Sequence, residues 1–62
     1  MAARYVIKKT SNGQYRFVLH AANGEPIATS ETYTTKSAAR KGIDSVKANA
    51  GSARVDDETG EA

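Results

Sequence analysis

The sequence contains no cysteine and no tryptophan, and only one proline, one phenylalanine and one histidine in 62 residues. Without cysteine there is no disulfide framework, no thiolate metal site and no thiol nucleophile. No apolar run approaches the roughly 18 residues that a membrane-spanning helix needs. Met1-Ala2-Ala3-Arg4 does not open a secretory leader. The expectation is therefore a single small soluble domain in the cytoplasm. Large apolar side chains are also scarce. Alanine supplies eleven of the apolar residues, whereas Val, Ile and Leu together supply eight. A chain of about 60 residues buries only about 60% of its unfolded surface, so each large side chain has to be placed where it counts.

What is present is charge, and it is unevenly distributed. All nine Lys and Arg residues precede Val55, opposed there only by Glu25, Glu31 and Asp44; Asp56, Asp57, Glu58 and Glu61 follow with no base among them. A basic body is the electrostatic footprint of a polyanion binder, and it is also the ordinary means of keeping a small domain soluble. Residues 57–62 hold no large apolar side chain and are expected as an acidic disordered tail behind a domain spanning residues 1–56.

Two Asn-Gly pairs, Asn12-Gly13 and Asn23-Gly24, separate three runs rich in strand-forming residues: Tyr5-Val6-Ile7, Tyr15-Arg16-Phe17-Val18-Leu19 and Pro26-Ile27-Ala28-Thr29-Ser30. Parity decides the loop length. A two-residue loop would pair Ile7 with Val18 and leave Phe17 and Leu19 on the opposite face. A three-residue loop with Gly in the left-handed region pairs Ile7 with Phe17, Tyr5 with Leu19 and, at the second turn, Leu19 with Ile27. Only this register gathers Tyr5, Ile7, Tyr15, Phe17, Leu19 and Ile27 on one face. Lys8, Arg16 and His20 then share the other face with Val6, Val18, Pro26 and Ala28.

After Tyr33 the period changes to that of a helix. Thr35 is placed to cap it by accepting the Ala38 N–H, and Ala39, Gly42, Ile43, Val46 and Ala50 form one apolar stripe. Gly42 costs a helix about 1 kcal/mol relative to Ala; its place on the stripe predicts close approach to an aromatic ring of the sheet. Gly51 is expected as the left-handed residue that stops the helix. Ser52–Asp56 is expected as a short strand anchored by Val55 alone.

In this order the motifs resemble the YegP-like family of uncharacterised short bacterial and archaeal proteins. The resemblance is carried by Tyr5-Val6-Ile7, Gly13 through Leu19, Ala22-Asn23-Gly24-Glu25, Thr29 through Tyr33 and Lys36 through Ala50, so it runs over about residues 4–56. Position 26 departs from it, being Pro where the family usually has an aliphatic residue. Members hold two tandem repeats, or one repeat that forms a homodimer. The resemblance thus implies an α+β unit of three antiparallel strands, a helix on one face and a short C-terminal strand (β-β-β-α-β). Two copies would join in one continuous sheet by exchanging that last strand. It implies no particular biochemical activity.

The residues themselves offer little for catalysis. His20 has no second ligand or nucleophile near it in sequence, and an active site needs a base, a nucleophile and an orienting group within reach. Ser30-Glu31-Thr32-Tyr33 reads as the end of the third strand, with Ser30 bonding to local backbone. Gly13 and Gly24 belong to hairpins and do not lead into a helix, so they are not phosphate loops. The reading is of a non-enzymatic homodimeric interaction or structural module, with no cofactor, no metal and no membrane partner. Its own second copy is the expected partner, through Tyr5, Ile7 and Val55. The alternative is a weak electrostatic nucleic-acid binder without sequence specificity, its candidate contacts being Lys8, Arg16, Arg40, Lys41 and Lys47. Tyr5, Tyr15 and Phe17 face the core in this reading, which removes the stacking platforms that base recognition uses.

Overall fold

A computed structural model describes residues 2–61; Met1 and Ala62, the last residue of the expected acidic tail, lie outside the described residues. The architecture is α+β: strands β1 (Arg4–Lys9), β2 (Tyr15–His20) and β3 (Pro26–Thr29) are followed by one helix, α1 (Lys36–Asn49). The strands form an antiparallel meander in the order β1-β2-β3. The helix packs on β1 and β2 and makes no packing contact with β3.

Both turns are three-residue loops. In the first, the Thr10 N–H donates to the Gln14 carbonyl (2.7 Å) and the Gly13 N–H to the Thr10 carbonyl (3.0 Å). In the second, Ala21 donates to Glu25 (2.8 Å) and Gly24 to Ala21 (2.9 Å). Gly13 and Gly24 take φ values of +84° and +89°, where a β-carbon would be strained. The β1–β2 register is the expected one, with Tyr5 opposite Leu19 and Ile7 opposite Phe17.

The β2–β3 register differs from expectation. His20 pairs with Pro26 beside the turn, but the ladder then slips, so that Leu19 faces Ala28 and Val18 faces Thr29. Ile27 becomes the extra residue of a β-bulge and is 62% exposed instead of joining the core. Ala28 thereby moves to the face of Leu19, away from Lys8 and Arg16. Pro26 opens an edge strand beside the bulge, a position where its missing N–H is tolerated. A second slip follows. Ser30 still lies across from Phe17, donating its N–H to the Phe17 carbonyl at 2.9 Å, but Tyr33 bridges Tyr15. Between the slips the Ser30 hydroxyl accepts the Phe17 N–H (2.9 Å), in place of a backbone carbonyl, and donates to the Glu31 carbonyl (2.7 Å). Two one-residue slips restore the original parity, which returns Tyr33 to the helix side.

Thr35 caps α1 as its hydroxyl suggests, accepting the Ala38 N–H at 3.0 Å. A β-carbon on Gly42 would stand 2.5 Å from Tyr33 Oη and 3.1 Å from a Phe17 ring carbon. The glycine therefore lets the helix settle onto two rings that stack with centroids 6.2 Å apart, while Tyr5 meets Phe17 edge-on at 6.0 Å. Ala39 is wholly buried, and Phe17 and Val18 are the other buried apolar residues among those described. Ala50, at the end of the stripe, is exposed.

The C-terminal end corrects two further expectations. Gly51 is not left-handed; the chain continues right-handed through Ala50 (φ −61°, ψ −38°), and Ser52 and Ala53 donate to the Asn49 carbonyl at 3.2 and 3.0 Å. These bonds satisfy the helix end without a left-handed cap. Among the described residues Ser52–Asp56 pairs with no strand, and Val55 is 92% exposed. A segment with one large apolar residue has too little to bury against its own sheet.

Candidate surfaces on the edge strand, the helix and the open sheet face

The unpaired edge of the sheet on the helix side is β1. There Tyr5 and Ile7, two residues apart on one strand face, meet Arg40, Ile43, Asp44 and Lys47 from α1 around an open groove of about 240 Å³. The α1 positions 40, 43, 44 and 47 follow the i, i+3, i+4, i+7 spacing of a single helix face. Three of the groove's six lining residues are aromatic or aliphatic (Tyr5, Ile7, Ile43) and three are charged (Arg40, Asp44, Lys47). Lys47 Nζ lies 5.8 Å from the Tyr5 ring centroid, a cation–π contact worth about 0.5–1 kcal/mol at an exposed site. Tyr5 and Ile7, expected at a dimer interface, thus occur side by side. Val55, expected with them, lies away from the groove in the exposed C-terminal segment. Asp44 was absent from the sequence candidates. The signal that could have found it is its i+4 spacing from Arg40 on the helix.

The five expected polyanion contacts divide between two places. Arg40 and Lys47 line the groove, and Lys41 is exposed beside them on α1. Lys8 and Arg16 are direct cross-strand partners on β1 and β2, both exposed. Strand alternation puts them on the face opposite Tyr5, Ile7 and Phe17, so the sheet separates them from the helix cations.

His20 Nδ1 lies 3.0 Å from the Gly24 carbonyl, which ties the ring to the second turn. A carbonyl can only accept, so Nδ1 is the protonated nitrogen. No group of three or more His, Asp or Glu side chains among the described residues could hold a metal ion. Asp57, in the tail, is held below the usual carboxylate range first by the Thr59 hydroxyl (2.6 Å) and then by the Thr59 N–H (3.0 Å). Arg54 and Asp56 form an ion pair at 3.2 Å. Among the described residues no helix is long and apolar enough to cross a membrane.

Known proteins share this arrangement. The chain is 55% identical over 49 residues to the UPF0339 protein YegP of Escherichia coli (strain K12), which covers 79% of this chain and 44% of that protein. It is 64% identical over 45 residues to the UPF0339 protein plu2779 of Photorhabdus laumondii, covering 73% of this chain and 40% of the relative. The chain thus spans about two-fifths of the length of the curated relatives it matches. The NMR solution structure of the protein from Haloferax volcanii superposes with a TM-score of 0.82 at 35% identity, covering 90% of this chain and 95% of that one. Residues 10–57 match the model of a Domain of unknown function (DUF1508), and with the UPF0339 relatives this shows that the chain belongs to that uncharacterised, YegP-like family.

Proposed function

We propose that the chain is a non-enzymatic interaction module completed by a second copy of the same unit, which lays its residues 52–56 along the free edge of β1. The observation that carries this reading is Val55, the most exposed large apolar side chain among the described residues, on a segment that pairs with none of their strands. β1 is an edge strand with neither proline nor glycine to blunt it, and unpaired edges accept added strands. Beside that edge Tyr5, Ile7 and Ile43 are the apolar members of the groove lining, where a side chain such as Val55 would lie.

Size supports the same reading. Cores below about 70–80 residues rarely supply more than about 3–5 kcal/mol without a staple, and the buried apolar set here is small. The matched segment takes less than half of each curated relative, which leaves those proteins room for a second unit of similar length. Sedimentation equilibrium on the whole chain and on a chain ending at Gly51 tests the proposal. The whole chain should be dimeric, and removal of residues 52–62 should weaken both association and fold. Truncation after Asp57 should leave both nearly unchanged. A monomeric chain that is fully folded when it ends at Gly51 would sink the proposal.

A further inference from the structure

On the sheet face turned away from α1, three cross-strand pairs stand in a row: Arg4 opposite His20, Val6 opposite Val18, and Lys8 opposite Arg16. Like charges directly opposite each other destabilise a strand pair, yet Lys8 and Arg16 face each other with both side chains exposed. None of the three strands contains a carboxylate. The ion pair formed among the described residues, Arg54 with Asp56, lies in the C-terminal segment and leaves these cations without an acidic partner. The His20 ring is held by its bond to the Gly24 carbonyl, which leaves Nε2 as an acceptor, so the ring flanks Arg4 without bonding a phosphate oxygen. Val18, between the two basic pairs, is only 6% exposed although α1 lies on the opposite face and residues 50–61 are all exposed. Its cross-strand neighbour on the open face is Val6.

Geometry selects the class of ligand. The Lys8–Arg16 pair and the Arg4–His20 pair are four residues apart along the strands, or about 13 Å. One small anion cannot bridge that distance, whereas a chain of phosphates can. The aromatic rings are elsewhere: Tyr5 and Phe17 meet on the helix side, and Tyr33 stacks there on Phe17. Proteins that recognise bases on a sheet offer aromatic platforms beside their cations, and this face has none.

We infer that the open sheet face binds the phosphate backbone of nucleic acid through Arg4, Lys8 and Arg16, without reading bases. This face and the β1–α1 groove lie on opposite sides of the sheet. Such binding separates the basic residues by role: Lys8 and Arg16 contact phosphate, whereas Lys36 and Lys41 on the helix are solvated charges.

The test is fluorescence anisotropy of the whole chain with labelled oligothymidylate and oligoadenylate of about 20 nucleotides, in salt raised from about 50 to 200 mM. The two oligomers should bind alike and weaken together as salt rises. The Lys8→Gln/Arg16→Gln double variant should bind at least about tenfold more weakly and flatten the logarithmic salt slope by about 1.4, the value for two phosphates of a single strand. Lys36→Gln/Lys41→Gln removes the same charge from the helix and should change affinity less than about twofold. Lys8→Glu separates binding from folding, since it turns the like-charged pair into an ion pair: its melting temperature should hold or rise while binding is lost. The proposal is overturned by no binding at the lowest salt, by equal losses in the two double variants, or by a clear preference between the oligomers. Inorganic polyphosphate is the remaining arm, because it carries the same phosphates: binding of polyphosphate by a protein that ignores both oligomers would also overturn the assignment to nucleic acid.

Discussion

The first hairpin closes through Thr10, Asn12 and Gly13, the second through Ala21, Asn23 and Gly24, and each loop is three residues with its glycine at positive φ. From that shared start they diverge. β1 runs beside β2 without interruption for six residue pairs, whereas β3 slips one residue after its first pair, and the chain slips again before Tyr33. The difference follows what each strand has to bury. β1 brings Tyr5 and Ile7 under α1, and a one-residue shift would turn both toward solvent. β3 lies outside the reach of the helix, and all four of its residues are exposed. With little apolar surface at stake, its register is set by what lies further on: Ser30 bonding Phe17, and Tyr33 reaching the ring stack beneath Gly42. A turn thus sets register for the nearest pair, while packing decides whether that register persists.

The largest effect that sharpens this contrast comes from two isoleucines. Ile7→Ala should lower stability by about 2 kcal/mol, in keeping with the loss of a large aliphatic side chain, and Ile27→Ala by less than about 0.5. Urea melts followed by circular dichroism would measure both. Equal losses would mean that the second hairpin carries as much of the core as the first.

A smaller effect separates the turns. Gly13→Val and Gly24→Val each force a branched side chain to positive φ, at a cost of about 1–2 kcal/mol. In the first hairpin that strain should appear as a lower global melting temperature. In the second it should appear mainly as faster amide exchange within β3, because a strand without helix contacts can open below the global transition. Exchange rates that rise equally in β1 and β3 for the two variants would break the comparison.

The smallest effect belongs to the tail. Asp57 has a folded pKa lowered by Thr59, so its contribution is present above the ordinary carboxylate pKa and is lost as pH falls through the folded value. The contribution is confined to the Asp57–Thr59 turn. Asp57→Asn should therefore leave the melting temperature unchanged at neutral pH while shifting the Thr59 amide resonance. A drop in melting temperature would place the tail against the folded body.

The candidate surfaces were unequally legible. Lys8 and Arg16 could be assigned to one face from the first turn alone, because register next to a three-residue loop is a local property. The meeting of Tyr5 and Ile7 with Arg40, Asp44 and Lys47 could not, since it depends on where the helix crosses the sheet. Val55 shows a third situation: its strand-like sequence was readable, but a strand requires a partner and its own sheet supplies none.

Two glycine-closed turns, the β1–β2 register, the Thr35 cap and the small residue at position 42 beneath an aromatic ring are written in the chain itself. Each follows from the conformational range or hydrogen-bonding reach of a residue and its near neighbours, so a few positions suffice to specify it. Only the tertiary structure decided the two slips of the third strand, the exposure of Ile27, the return of Tyr33 to the core and the groove between β1 and α1. Those outcomes are settled by competition between distant contacts. The helix needs the Phe17–Tyr33 stack more than the sheet needs an unbroken ladder at its edge, and no local pattern records which of the two prevails.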